Sequence, residues 1–200
     1  MLNTIPSPEA IVKAFKAIDL ADVSAGIEWY AEAYGIAESY AERFGITVGQ
    51  AAGIIAALSP QQAWAQNVRS AERFLESRAS VHTKVNMTKC ERILAGEDVW
   101  TVLNADKTRN FWLGIVSQGA EGVCIDRHAI DIALGVRHTE ATRPAIGKRL
   151  YAAAAEAYRA AAEALSAEGA ILSPAELQAV TWAEHVRRWS GIRAGSPVAL

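Results

Sequence analysis

Cysteine is scarce in this chain. Only two occur, Cys90 and Cys124, which excludes a disulfide framework and any zinc or iron–sulfur site built on four cysteines. A surplus of positive charge is missing too: 20 Lys and Arg stand against 22 Asp and Glu, a formal net charge of −2. The chain as a whole does not attract nucleic acid, so any nucleic-acid surface has to be a local patch. Long apolar runs are absent. The stretch between Arg43 and Arg69 carries no charge, yet Gln50, Ser59, Pro60, Gln61, Gln62, Gln66 and Asn67 interrupt it. It reads as a buried helix pair rather than a membrane span. No segment alternates apolar and polar residues with period two, so the signature of half-buried strands is missing. No repeat at solenoid period appears. No basic-then-apolar leader is evident, and two thiols among many aliphatics suit a reducing compartment. A cytoplasmic location without membrane contact is the expectation.

The chain has 200 residues, 51% apolar and 21% charged, enough to bury a real core. Its periodicity predicts an all-α protein of eight to ten helices. One domain over residues 1–200 is expected, with room for two lobes meeting at a cleft between 59–77 and 103–135, and a flexible tail from about 191 to 200. Ser7-Pro8-Glu9 opens a first helix to about Ile18 by cap-then-proline logic. A long amphipathic helix follows from about Val23 to Phe44, with Ile27, Tyr30, Tyr34 and Tyr40 as core positions and Gly45 as its stop. Thr47 and Gln50 form a capping box for a nearly all-apolar helix through Leu58. Ser59-Pro60-Gln61-Gln62 repeats the device and predicts a helix from there to about Ser77. On it Pro60, Trp64, Asn67 and Ala71 share one face. Arg78–Asn86 reads as a loop, Met87–Ala95 as a short helix, and an alanine-rich helix runs to about Ser166 with Tyr151 and Tyr158 on one stripe. Ser173 and Glu176 cap a last helix to about Trp189. Trp100, Trp112, Trp182 and Trp189 are assigned to packing, and Arg187, Arg188 and Arg193 form a basic cluster near the tail.

The most informative stretch is Val102–Val136. It reads as the end of one helix, a tight turn, a helix starting near Lys107, an apolar link Val123-Cys124-Ile125, and a new helix opening at Asp126. A helix N-terminus offers unpaired N–H groups and a positive dipole end. Asp126 suits that place as an N-cap or as a site acid. Lys107 does not suit it, because a cation there sits at the wrong end of the dipole. It is either a solvated lysine or a functional one.

This pattern resembles the helix-hairpin-helix DNA glycosylase superfamily. In that family a hairpin of the type Leu-Pro-Gly-Val-Gly-x-Lys-Thr-Ala precedes a link ending in Val-Asp-x-His. Here Leu103-Asn104-Ala105-Asp106-Lys107-Thr108 is followed by Val123-Cys124-Ile125-Asp126-Arg127-His128, with Lys107 and Asp126 19 residues apart. A degenerate helix-hairpin-helix near residues 99–117 is the implied feature. Asn104, Ala105 and Asp106 replace the hairpin glycines, so contact with DNA would be local. The set Ser59-Pro60, Trp64, Asn67 and Ile125-Asp126-Arg127-His128 looks most like small phage-type relatives linked to thymine hypermodification.

The resemblance implies Lys107 and Asp126 as catalytic residues, with Ser59, Gln61, Trp64, Asn67, Arg127 and His128 binding substrate. A neutral lysine amine can displace a base at the sugar C1′ and form a Schiff base, and an aspartate can stabilise positive charge developing on the sugar. The target pyrimidine, flipped or modified, would enter a pocket with Trp64 as stacking surface and Asn67 or Gln61 reading its edge. Attack by an amine on a modified pyrimidine's exocyclic carbon would use the same pocket. Asp126, His128 and His138 match no strong zinc pattern, so no metal and no other cofactor is expected. Cys124 reads as a small buried hydrophobe. DNA is the implied partner. Two further readings stay open: a catalytically silent nucleic-acid-binding module, and a helical adaptor that binds a host factor.

Overall fold

The computed structural model describes residues 5–139 and 141–190. The expected flexible tail, Arg193 and the side chain of Trp189 lie outside the described residues. Ser7 opens α1 (Pro8–Lys16), its hydroxyl accepting from the Ala10 N–H at 3.3 Å with Pro8 at the first helical position. Helix α2 (Leu20–Phe44) ends at Gly45, whose φ of 65° is the left-handed conformation that glycine adopts without strain. The capping box of α3 (Val48–Leu58) closes in both directions: Gln50 N–H donates to Thr47 Oγ1 at 3.1 Å and Thr47 N–H to Gln50 Oε1 at 3.0 Å. Ser173 and Glu176 make the same reciprocal pair before α10 (Pro174–Ser190).

The capping box expected at Ser59 does not form. Its hydroxyl turns back to the Ala56 carbonyl at 3.0 Å and belongs to the end of α3. Pro60 follows as a stop rather than a start, and Gln61 takes a positive φ of 61°. Helix α4 therefore begins later, at Trp64 (Trp64–Ser77), with Ala63 as an N-cap that makes no side-chain bond. The same sequence device yielded a helix end because the carbonyls of a buried helix compete for the serine hydroxyl. Thr83 caps α5 (Lys84–Leu94), one turn earlier than expected. Next come the single-turn α6 (Val99–Val102), then α7 (Asp106–Val116), α8 (Arg127–Leu134) and α9 (Lys148–Ala167). Among the described residues there is no strand, and no helix is long and apolar enough to cross a membrane.

Packing produces two hydrophobic cores. The first surrounds α3, in which Ala51 to Leu58 are all buried. Burial of Ile54, Ile55 and Leu58 alone contributes about 5–9 kcal/mol of gross stabilisation. The second joins Ile11 of α1 to Ile125, Ile130 and the alanine face of α9 around Tyr158. Helix α10 serves both, with Ala175 and Ala179 in the first core and Leu177 in the second. The buried face of α2 is Gly26, Trp29, Tyr30, Ala33, Ala37 and Tyr40 rather than Ile27 and Tyr34, which are half-buried. Two glycines make this arrangement possible. A methyl group on Gly26 would stand 2.6 Å from Val180 Cα of α10, and one on Gly114 would stand 2.5 Å from the Tyr30 ring. These close approaches set α2 against α10 and α7 against α2.

Candidate functional site

Asp126 caps α8 in full. Its Oδ1 accepts from the N–H groups of His128 at 2.8 Å and Ala129 at 2.9 Å. Its Oδ2 accepts from the indole Nε1–H of Trp182 at 3.0 Å. Three N–H groups thus meet the carboxylate charge, and one comes from a distant helix. Trp182, assigned to packing from sequence, is the residue that ties α10 to this acid. Trp100 is 43% exposed, with its ring 6.4 Å from that of Trp112 on the next helix and beneath the Arg109 guanidinium at 5.1 Å.

Lys107 is the second residue of α7 and half-buried. What sets it near Asp126 is Tyr151 of α9. The Tyr151 hydroxyl donates to Val123 O at 2.8 Å, accepts from Ile125 N–H at 3.3 Å, and lies 3.3 Å from Asp106 O. One buried hydroxyl therefore ties the residue before Lys107 to the residue before Asp126. The link Val123–Ile125 has no strand partner, so these side-chain bonds replace the ladder its backbone lacks. Cys124 on the link is buried, donates weakly to Lys107 O at 3.7 Å, and burial pushes its thiol up to about 12. It is an inert packing group.

Lys107 and Asp126 both line a cavity of about 110 Å³. Its walls are aromatic. Trp29 packs on Trp64 at 4.9 Å between ring centroids, on Tyr30 at 5.0 Å and on Phe111 at 5.9 Å. Gln62, Asn67 and Gln178 supply amides, and the Tyr30 hydroxyl reaches Gln178 Oε1 at 3.5 Å. Burial raises the Tyr30 pKa well above its usual value, so Lys107 and Asp126 are the charged side chains of this wall. Asn67 is held by its Nδ2, which donates to Ile55 O at 2.9 Å.

The cavity adjoins a wider groove. Among the described residues this groove carries six cations, Lys107, Arg109, Arg127, Arg137, Arg143 and Lys148, against the carboxylates of Asp106, Asp126 and Asp131. A chain of net negative charge thus has one locally basic channel, and the candidate pocket adjoins it. Of the residues expected to bind substrate, Ser59, Trp64 and Asn67 line the cavity, whereas Gln61, Arg127 and His128 line only the groove. Gln61 is exposed and its neighbour Gln62 takes the inner place. Trp29, Tyr30, Gln178 and Trp182 complete the wall from α2 and α10, and no motif marked them.

His128 Nε2 accepts from Arg127 Nε at 3.1 Å, and its ring meets that of His185 at 5.3 Å. Burial holds both imidazoles below the usual histidine range, His185 at about 4. His138 is engaged elsewhere: its Nδ1 lies 2.9 Å from Asp131 Oδ1, and Arg143 Nη2 donates to Asp131 Oδ2 at 3.0 Å. Burial pushes the Asp131 carboxyl up, but the hydrogen bonds from Arg143 and His138 outweigh it and hold the pKa below the usual range. Arg187 and Arg188 both pair with Glu184. Among the described residues no group of three His, Cys, Asp or Glu side chains is arranged to hold a metal ion.

No curated protein and no solved structure matches this chain. Over residues 3–189 it matches the model of a family of unknown function, DUF7178, and it belongs to that family.

Proposed function

We propose that this protein is a DNA-base-processing enzyme of the helix-hairpin-helix glycosylase-like kind, acting on a flipped or modified pyrimidine as a glycosylase, a lyase or a base-modifying transferase. One observation carries the reading: a lysine and a capped aspartate line a single aromatic cavity that adjoins a locally basic groove. The groove supplies cations for a phosphate backbone, and the cavity supplies aromatic walls and amides for a base removed from its stack. The pair α6 and α7, joined through Leu103–Ala105, is what supports a degenerate hairpin.

In the lyase route the neutral Lys107 amine attacks the sugar C1′. The bond from C1′ to the base breaks, its electron pair leaves with the base, and solvent protonates the base. The secondary ammonium so formed gives its proton to solvent. The nitrogen lone pair then breaks the C1′–O4′ bond, so that O4′ leaves as a hydroxyl protonated by solvent and C1′ becomes the protonated imine that borohydride reduces. Asp126 faces the positive charge that develops on the sugar, held in place by its three N–H donors.

The test is borohydride trapping with single-stranded and duplex oligonucleotides carrying normal, damaged or hydroxymethylated thymine. The expected result is a covalent adduct that Lys107→Ala abolishes and Asp126→Asn strongly slows. DNA bound equally by wild type and both variants, with no adduct and no base change, would replace the enzyme by a binding module. The three N–H donors on Asp126 favour that second reading, since they give the residue a structural role. No DNA binding at all would point to a protein-binding adaptor.

A further inference from the structure

We infer that the cavity reads a single pyrimidine ring on its Watson–Crick edge through Trp29, Trp64, Asn67 and Gln62. The inference rests on the reading above only in taking the cavity as the seat of a base. It begins from polar atoms that have no partner. Among the described residues, five buried side-chain atoms lack a hydrogen bond: Trp29 Nε1, Trp64 Nε1, Asn67 Oδ1, Gln62 Oε1 and His128 Nδ1. The first four belong to side chains lining this one cavity, and the fifth belongs to the adjoining groove. Buried polar groups are paired in the great majority of cases, and each one left unpaired is costly. Four on the side chains of one wall, each closed to water as the wall stands, mark a place where a ligand that parts the side chains supplies the partner.

Their roles can be assigned. An indole N–H only donates. Asn67 cannot swap its amide ends, because its Nδ2 is committed to the Ile55 carbonyl at 2.9 Å, so the unpaired Oδ1 is an acceptor. Trp29, Trp64 and Asn67 are 8%, 6% and 1% exposed, which makes two donors and one acceptor in the dry part of the site. Gln62 adds an amide on a half-buried side chain, able to present either end. The complementary ligand edge carries two acceptors and at least one N–H. A thymine-type ring offers two carbonyls flanking an N–H, and a cytosine-type ring offers a carbonyl, a ring nitrogen and an amine. A purine's Watson–Crick edge does not supply that set: adenine offers one acceptor and one amine, and guanine one carbonyl and two N–H groups. Phe111 supplies an aromatic ring to the same wall, and the absence of a third charge beside Lys107 and Asp126 suits a neutral heterocycle.

The experiment follows the indole N–H signals of the full-length, nitrogen-15-labelled protein. Six tryptophans give six resolvable signals, assigned by Trp→Phe variants. Thymidine, deoxycytidine, deoxyadenosine and deoxyguanosine are titrated, together with the donor-blocked N3-methylthymidine and N4,N4-dimethyldeoxycytidine. The expected result is saturable downfield movement of the Trp29 and Trp64 signals with thymidine or deoxycytidine, the tighter of the two naming the ring type. The blocked form of that nucleoside should bind at least tenfold more weakly, because it leaves Asn67 Oδ1 unpaired. Trp64→Phe should weaken binding about tenfold while keeping an aromatic wall. Absence of any saturable shift, equal binding of the blocked nucleoside, or purine binding as tight as pyrimidine binding would each overturn the inference. The blocked ligands need no protein variant, so a misfolded mutant cannot mask the outcome. Failure here with borohydride adducts intact removes this reading of the cavity alone. Pyrimidine binding without any adduct removes lysine chemistry alone.

Discussion

Tyr151 and Tyr158 sit seven residues apart on α9, and the same substitution at each separates hydrogen-bond accounting from burial. Tyr158 is 0% exposed and Tyr151 is 9% exposed, so an area argument expects Tyr158→Phe to be the more damaging change. The hydrogen bonds say the reverse. Removing the Tyr151 hydroxyl strands Val123 O, bonded at 2.8 Å, and Ile125 N–H, bonded at 3.3 Å, on a buried link with no ladder. An unsatisfied buried group costs about 1–3 kcal/mol, and the two share one hydroxyl, so the sum is about 2–4 kcal/mol. The Tyr158 hydroxyl meets only Thr181 Oγ1, at 3.4 Å, and Thr181 keeps its own bond to Leu177 O at 2.8 Å. That loss is worth about 1 kcal/mol or less. At roughly 2–4 °C per kcal/mol for a chain of this length, Tyr151→Phe should lower the Tm by about 4–16 °C and Tyr158→Phe by less than about 4 °C. Thermal unfolding followed by circular dichroism, with urea midpoints as a second measure, decides it. Because Tyr151 also sets the starts of α7 and α8, its variant should lose adduct formation with Lys107 intact, whereas Tyr158→Phe should keep it. Equal or inverted Tm losses would show that the link is held by packing and that the hydroxyl is incidental.

Three further outcomes follow from the same structure. Arg143→Met leaves the Asp131 carboxylate, whose side chain is 1% exposed, to His138 alone and should cost about 1–3 kcal/mol in urea unfolding. An unchanged urea midpoint would count against the buried ion pair. Burial pushes the Cys90 and Cys124 thiols up to about 12; iodoacetamide at mild alkaline pH should label neither in the native protein and both in denaturant, as read by intact mass. Burial also holds His128 below its usual range and His185 at about 4, whereas the unfolded chain titrates near 6.5. The unfolded state therefore takes up protons first, so this stabilisation is full above about pH 6.5 and is lost as pH falls toward 4. The urea midpoint should drop across that window, and a His185→Gln variant showing the same slope as wild type would remove the pair as the cause.

Local chemistry alone determined the helical class and most helix starts. The caps at Ser7, Thr47 and Ser173 act within one turn, so neighbours in sequence suffice to set them. Asp126 likewise announced itself, because an N-cap is a local requirement. The device failed at Ser59, where the end of a fully buried helix claimed the hydroxyl. That competition depends on α3 lying inside the core, which no window of a few residues records. The site divides along the same line. Lys107, Asp126, Trp64 and Asn67 stood out by spacing and helix position, and they do line one cavity. Trp29, Gln62, Gln178 and Trp182 did not, since helices distant in the chain bring them there. Their place depends on Gly26 letting α10 approach α2, and on an indole on α10 reaching an aspartate 56 residues earlier in the chain. Periodicity shows that a residue faces inward. Only the packing of helices decides whether that interior is solid core or the wall of a cavity with unpaired donors and acceptors.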